Sequence, residues 1–493
     1  MARAVALEPG TQEFDRRARE GNLVPVSCEV IADLETPISA YLRLRDLPHP
    51  FLLESVEGGA KVARYSFLGA QPRLTIAADP TGVEITEDGI SRRVAEAPLA
   101  AARAVLARYR PVADPSLPRF YGGLVGSFGY DLIRTIEHLP HRPPDDRNFP
   151  IMSLALADTV MIFDHLRHRI RIVANACVDD GADRAYGGAR ARIEEWLERL
   201  RRPLPPPPSP AGAPSLRVRS NMTRERYMAA VKRCKEYIYA GDAFQIVFSQ
   251  RFATEIGALD PFAIYRALRM INPSPFMFFL EGRGTTLVGA SPELLVRLEG
   301  DLVEMRPIAG TRRRGLTEDE DRALAEELLA DEKERAEHVM LVDLTRNDVG
   351  RIARYGTVRV SELMAVERYS HVMHIVSNVQ GRLVPGRDAF DVLRAVFPHG
   401  TVSGAPKVRA MEILDELEPT ARGPYAGAVG YVGFGGALDT CIGIRTLAIR
   451  DGVAYAQAGG GIVADSDPAC EYDETINKAK VLIRAIEMAG RGL

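Results

Sequence analysis

Four glutamates are spaced for shared work. Glu334 and Glu337 lie in DEKERAEHVMLVDLTRND (331–348), and Glu471 and Glu474 in ACEYDETINKAK (469–480). On a helix, a spacing of three sets both carboxylates of a pair on one face, and Lys478 follows Glu474 one turn later. The ordinary use of one such pair is a solvated acidic surface. Two pairs on separate helices can instead converge on a hard, oxygen-rich site. That chemistry suits Mg²⁺, which takes carboxylates, waters and an anionic group of a substrate. Residues able to hold such an anion are also present. Gly459, Gly460 and Gly461 follow a strand, and a glycine turn there brings backbone N–H groups against a ligand. HGTVSGAPK (399–407) reads as a second turn, with hydroxyls and the cation of Lys407. Arg445, read as part of a strand, carries the planar fork that matches a carboxylate. Each feature alone has a plainer use, since tight turns need glycine and most arginines are surface residues. A nucleotide phosphate loop is excluded, because no G-x-x-x-x-G-K-[ST] occurs.

Regular elements must hold these groups in place. Apolar periodicity predicts long helices over 319–355, in one piece or two, and over 468–490, the latter capped by Asp467-Pro468. A further amphipathic helix is expected over 223–241 and another over 189–202. Alternation predicts a strand over 244–250, and strands over 441–450 and 453–457 flank the two-residue hairpin signal Asp451-Gly452. Strands joined by hairpins with helices between groups imply an α+β fold with largely antiparallel sheets. PLPPPPSPAGAP (203–214) is a stiff extended linker, which divides the sequence into an N-terminal unit, 1–202, and a C-terminal unit, 215–493, that carries the candidate chemistry.

Composition narrows the function. With 493 residues the chain is long for a single core. A formal charge of −3 gives no basic excess for nucleic acid or an anionic membrane. The five cysteines include no Cys-x-x-Cys pair, so neither a disulfide framework nor a zinc site is expected. No signal peptide and no membrane-length apolar run is present, which fits the cytoplasm.

Taken in order, the segments GDAFQIVFSQ (241–250), NPSPFMFF (272–279), GASPELLV (289–296), RPIAGTRRRG (306–315), AEHVMLVDLTRND (336–348), VMHIVS (372–377), HGTVSGAPK (399–407), GAVGYVGF (427–434), IGIRT (442–446), AGGGIV (458–463) and EYDETINKAK (471–480) resemble the chorismate-utilising enzymes, and among them the anthranilate synthase large subunits. FLLES (51–55) and ARYSFLG (63–69) extend the resemblance to the N-terminal unit. The resemblance implies two facing, largely antiparallel sheets wrapped by helices. It implies Glu337 and Glu474 as Mg²⁺ ligands, with Glu334 and Glu471 as outer carboxylates holding metal-bound water. Gly310, Thr311, Tyr425, Arg445, Gly459, Gly460, Gly461 and Lys478 become chorismate contacts. Glu293 becomes the acid that helps the C4 hydroxyl leave, His374 the active-site histidine, and Thr401 a residue lining the site.

Two positions bear on the nucleophile. Aminodeoxychorismate synthases, the alternative member, carry a ring-attacking lysine where this sequence has Ala309. Water-using relatives carry a basic lysine where it has Gln245. Both positions point to ammonia, and so to conversion of chorismate and ammonia into anthranilate and pyruvate. A catalytically idle chorismate- or tryptophan-binding protein is the other alternative, and the intact set of site residues speaks against it. No G-x-C-x-G elbow is present to release ammonia from glutamine, so a separate glutamine amidotransferase chain in a hetero-oligomer is expected to supply it. The resemblance also implies feedback by L-tryptophan at Glu54, Ser55, Pro275, Phe276 and Met277, with Glu54 meeting the ammonium group and Lys61 or Arg64 the carboxylate.

Overall fold

The computed structural model describes residues 6–56, 64–206, 216–369 and 372–492. Lys61 and most of the proline-rich stretch lie outside them. The strands form two sheets of twelve, antiparallel wherever strands pair, as the alternation and hairpin signals predict. Across the first sheet the order is Leu23–Ile31, Arg169–Cys177, Thr159–Asp164, Tyr65–Gly69, Phe51–Glu54, Phe276–Gly282, Thr285–Ser291, Thr446–Arg450, Val453–Ile462, Gln245–Glu255 and Arg219–Ser220. Across the second it is Ile308–Arg313, Val372–Arg382, Leu302–Met305, Leu294–Glu299, Leu438–Ile442, Ala428–Gly433, Gly123–Phe128, Met152–Ala157, Leu74–Asp79, Gly82–Glu87 and Ile90–Val94.

Both sheets are therefore built from both sides of the linker. The first is joined where Phe51–Glu54 pairs with Phe276–Gly282, with Met277 opposite Glu54. The second is joined where Gly123–Phe128 pairs with Ala428–Gly433. The division at 203–214 is a division of the sequence, and each sheet runs straight across it.

Alternation explains how the sheets are buried. In Phe276–Gly282, Phe278 and Leu280 point into the core shared with the second sheet, while Met277 and Phe279 point into a separate core under helices. Thr159–Asp164 does the same, with Val160 and Ile162 on one side and Met161 and Phe163 on the other. The helical layer over the first sheet includes Pro37–Leu44, Ala182–Arg201, Pro261–Ile271 and Pro468–Arg491. Among the described residues, no helix is long and apolar enough to cross a membrane, and all five cysteines are free.

Several boundaries differ from the sequence reading. The helix expected over 319–355 is two, Glu318–Ala330 and Glu332–Gly350, because Asp331 leaves helical geometry and accepts hydrogen bonds from the N–H groups of Lys333 and Glu334. The helix expected from residue 189 starts earlier, at Ala182. The strand expected over 441–450 is broken. Leu438–Ile442 belongs to the second sheet and Thr446–Arg450 to the first, and Arg445 lies in the bend between them at φ +50°. The hairpin at Asp451-Gly452 is present, with both residues left-handed, as a two-residue turn of this kind requires. Gly459, Gly460 and Gly461 form no turn, because Val453–Ile462 runs through them as a strand paired with Gln245–Glu255.

A buried ion pair ties these pieces together. The Arg422 guanidinium donates to Glu418 at 2.7 and 2.8 Å, to the Val402 carbonyl at 2.6 Å and to the Val247 carbonyl at 2.7 Å. Glu418 also accepts from the backbone N–H and hydroxyl of Ser249. Removing one member of such a network strands the other charge in a medium that cannot solvate it. Arg422→Met is expected to lower the unfolding free energy by about 3–5 kcal/mol, measured by urea denaturation. A loss under about 1 kcal/mol, the scale of an exposed pair, would show that this network does not hold the fold.

Candidate active site

The residues singled out by chemistry form one connected cluster. The helices Glu332–Gly350 and Pro468–Arg491 bring their glutamates into the same neighbourhood. Glu337 accepts from the Gln245 side-chain amide at 3.0 Å. Burial raises the Glu337 pKa above the ordinary carboxylate range, and the nearby charges of Glu334 and Glu474 add to the rise. Glu471 is raised the same way, by burial first and by Glu474 in addition. One oxygen of Glu471 takes the Ser466 hydroxyl at 2.6 Å, and the other is buried without a partner. Glu334 is held by Arg312 at 3.2 Å. Among the described residues, no three His, Cys, Asp or Glu side chains gather closely enough to enclose a metal by themselves.

The glycine strand supplies the opposite wall. A Cβ at Gly459 would stand 2.8 Å from the Tyr425 hydroxyl, at Gly460 2.6 Å from a Glu471 oxygen, and at Gly461 2.6 Å from the Gln245 amide nitrogen. At Gly459 the Phe248 carbonyl, also at 2.8 Å, leaves no room for a side chain, whereas at Gly460 and Gly461 a side chain would have to displace the ends of Glu471 and Gln245, so bare backbone borders both groups. On the other flank, Thr446–Arg450 pairs with Val453–Ile462 only as far as Ala456. The ladder thus ends before the glycines, on the side where Arg445 enters. Arg445 is half-buried, and burial lowers its pKa. Its guanidinium donates to the Lys478 carbonyl at 2.9 Å, and no carboxylate among the described residues lies within ion-pair distance. Lys478 itself is committed to Glu474 at 2.5 Å and to the Gly459 carbonyl at 2.8 Å.

His374 lies on Val372–Arg382, opposite a bulge in Ile308–Arg313. The register passes from Ala309↔Ile375 to Arg312↔Met373, so Gly310 and Thr311 together face one residue. Gly310 takes the left-handed φ of +65° that the bulge needs, and a Cβ there would meet Glu334 at 3.2 Å. The bulge turns the Gly310 carbonyl to 2.8 Å from His374 Nδ1, with the Thr311 hydroxyl at 3.1 Å. A carbonyl only accepts, so Nδ1 carries the hydrogen and Nε2 keeps its lone pair. Burial lowers the His374 pKa, which favours that neutral form.

Glu293 occupies a bend like that of Arg445, between Thr285–Ser291 of the first sheet and Leu294–Glu299 of the second. The two bends touch through Ile442 N–H to the Glu293 carbonyl at 3.1 Å and Ala290 N–H to the Arg445 carbonyl at 3.1 Å. The Glu293 side chain meets the Thr401 hydroxyl at 3.1 Å and the Ile308 N–H at 3.4 Å. Burial pushes its pKa up to about 8, so it holds a proton at neutral pH. Tyr425 is raised to about 12 by burial and stays a neutral phenol. Lys407 is not available to an anion, since its ammonium group is buried against both oxygens of Asp348 at 2.8 Å.

A second site lies where the first sheet is joined. A cavity of about 580 Å³ is lined by Glu54, Ser55, Pro275, Phe276 and Met277, all five residues expected there. It also receives Arg64, Arg119, Arg297, Glu299 and Asp439. Cations and anions balance in this lining, and Tyr65, Phe67, Phe278 and Tyr431 make its walls aromatic. Glu54 differs from its expected role. Its carboxylate is already engaged by the Tyr265 hydroxyl at 2.5 Å and by Arg269 at 3.1 and 3.3 Å. Arg64 is likewise paired, with Asp164 at 2.8 Å. Sequence reading missed Arg312, Arg119, Arg297, Asp439 and His399. Arg312 and His399 stood inside quoted motifs, whereas the other three are brought in only by sheet pairing.

Comparison with known proteins places the chain in a family. The family described as chorismate binding enzyme matches residues 49–484. Anthranilate synthase component 1 of Acetivibrio thermocellus is 49% identical over 492 residues, covering 98% of this chain and 99% of that protein. Its counterpart in Pseudomonas putida is 50% identical over 487 residues, covering 97% and 98%. The crystal structure of anthranilate synthase component I from Streptococcus pneumoniae TIGR4 matches with a TM-score of 0.78 at 38% identity, covering 92% of this chain and 98% of that one. With such likeness along nearly its full length, this chain belongs to the chorismate-binding enzyme family, among the anthranilate synthase component 1 proteins.

Proposed function

We propose that the chain converts chorismate and ammonia into anthranilate, pyruvate and water, with Mg²⁺ bound between its two glutamate helices. The observation that carries this reading is Arg445. It is a half-buried guanidinium that pairs with no carboxylate among the described residues, set where the glycine strand loses its ladder on one flank, with the charge of Glu474 near enough to act on it. A carboxylate-bearing substrate supplies the missing anion. The donor set suits Mg²⁺. It is all oxygen, Glu471 leaves one buried oxygen unpartnered, and the mutual charge of the glutamates calls for a cation. A Mg²⁺ ion held by one or two carboxylates plus water and substrate does not need three protein ligands. When bound, Mg²⁺ neutralises a substrate carboxylate and fixes it between the helices.

The remaining steps fall to side chains. Glu293, protonated at neutral pH, gives its proton to the departing C4 hydroxyl, which leaves as water. Ammonia adds to the ring at C2. Gln245 donates to Glu337 and offers no base, which ammonia does not require. Aromatisation then removes the C2 proton and protonates the departing enolpyruvyl group, and Nε2 of His374 is the free lone pair placed for this proton handling. Ammonia comes from a separate glutamine amidotransferase chain. Tryptophan, a zwitterion with an aromatic ring, matches the charge-balanced, aromatic cavity at the junction of the sheet halves and regulates the enzyme from there.

Three experiments test these statements. Incubated with chorismate, Mg²⁺ and ammonium salts, the chain is expected to release anthranilate, read by fluorescence, and pyruvate in equal amounts. It should show no turnover after chelation and none with glutamine in place of ammonium. Accumulation of a non-aromatic 4-amino compound without pyruvate would reassign it to aminodeoxychorismate synthesis. Arg445→Lys retains charge but loses the fork, so kcat/KM should fall by the equivalent of about 1–3 kcal/mol; an unchanged value removes Arg445 from the site. Ser55→Phe fills the junction cavity and should abolish inhibition by millimolar tryptophan while leaving the uninhibited rate nearly unchanged. Full sensitivity in that variant would place the regulatory site elsewhere.

A further inference from the structure

His399 is a buried polar group that the reaction described above leaves unused. It is 1% exposed and opens the short turn Gly400–Val402, where its Nδ1 accepts the Thr401 N–H at 3.2 Å. Accepting from a backbone amide fixes the tautomer, with the lone pair on Nδ1 and the hydrogen on Nε2. Nε2 is buried without a partner. The same Nδ1 lies 2.8 Å from the Thr401 hydroxyl, and that hydroxyl lies 3.1 Å from Glu293 Oε2. One hydroxyl, with one proton, therefore stands between two acceptors. While Glu293 is protonated, Thr401 donates to His399 and its oxygen accepts the carboxyl hydrogen. Once Glu293 is ionised, the hydroxyl turns to the carboxylate, and Nδ1 keeps only the longer backbone contact.

We infer that His399 is a positioning residue that claims the Thr401 hydroxyl proton and so holds Glu293 in its acid form between turnovers. The inference rests on the reading of Glu293 as proton donor to the leaving hydroxyl. Burial keeps the imidazole neutral by pushing its pKa down to about 3, so the acceptor persists through the working pH range. The other groups around the pair do not compete. Glu293 Oε1 faces the Ile308 N–H at 3.4 Å and His399 Nδ1 at 3.7 Å, and among the described residues no other titratable cation lies within ion-pair distance of it. Lys407, whose charge also lowers the His399 pKa, is held by Asp348 and by the Val396 carbonyl at 2.9 Å.

The test reads Glu293 directly and then through turnover. Difference infrared titration of the full chain follows the carbonyl stretch of the protonated carboxyl, assigned by its loss in Glu293→Gln. In His399→Leu the midpoint should fall by about one pH unit, the scale of one competing hydrogen bond. His399→Asn, which restores an acceptor near Nδ1, should return it toward the parent value. In Thr401→Val, adding His399→Leu should cause no further shift, because the relay is already cut. The alkaline limb of kcat, at fixed free ammonia, should move down with the infrared midpoint while KM stays constant. An unmoved midpoint in His399→Leu, or an equal drop with and without the Thr401 hydroxyl, would overturn the inference. A midpoint that shifts while the alkaline limb does not would uphold the hydrogen-bond relay but overturn the role of Glu293 as acid.

Discussion

A chain can pass between the two layers of a sheet sandwich only by leaving its ladder, and the site depends on two such passages. One runs through Pro292 and Glu293, the other through 443–445, and they hold each other by backbone hydrogen bonds. Inside a strand, a side chain must point to one face or the other. At a passage it can point along the gap between layers, where polar groups meet with little water. Arg445 takes a left-handed backbone to do so, an uncommon state for a residue with a Cβ. The other parts are arranged around these two points. The glycine strand loses its partner on one flank near Arg445 while keeping the other, and the bulge at Gly310 and Thr311 turns toward His374.

The second constraint is electrostatic. Glu337 and Glu471 are buried close to other carboxylates, so desolvation first, and the neighbouring charges after it, make their charged forms costly. Arg445 suffers the converse, a desolvated cation without an anion. Under the proposed function, a cation between the glutamate helices and a carboxylate beside Arg445 would offset both imbalances. Glu293 belongs to a different regime. It is isolated from cations and meets one hydroxyl and one amide, so burial sets its protonation without a charged partner. Carboxylates of one chain thus stand in two electrostatic settings, one crowded with like charge and one set by burial alone.

Local chemistry was legible in the sequence wherever its cause is local. Asp467-Pro468 opens the last helix, Thr223 caps the helix that follows it, and Asp451-Gly452 makes the hairpin. The ordered motifs pointed to the family because motif order reflects a shared architecture. What stayed hidden depends on pairing across long separations. Three glycines after a strand look like a turn until the facing strand, about two hundred residues earlier, is seen to continue the ladder through them. Nothing near residue 445 announces that one apolar run feeds two sheets. Glu54 reads as a ligand contact because its consumers, Tyr265 and Arg269, lie on a distant helix. The proline run suggested two separate bodies, since composition says where a chain is stiff but not which strands will meet.

The shared sheets have a consequence for how this protein is made. Phe51–Glu54 and Gly123–Phe128 are interior strands, each completed on one side only by residues far downstream. At a synthesis rate of about 5–20 residues per second, Phe51–Glu54 waits on the order of 10–45 s for its neighbour, and Gly123–Phe128 waits longer. Through that interval the nascent chain carries two open, apolar sheet edges, the kind of surface that recruits stray strands. The sheet junction that encloses the charge-balanced cavity in the finished protein is, on the ribosome, an open seam of an unfinished one.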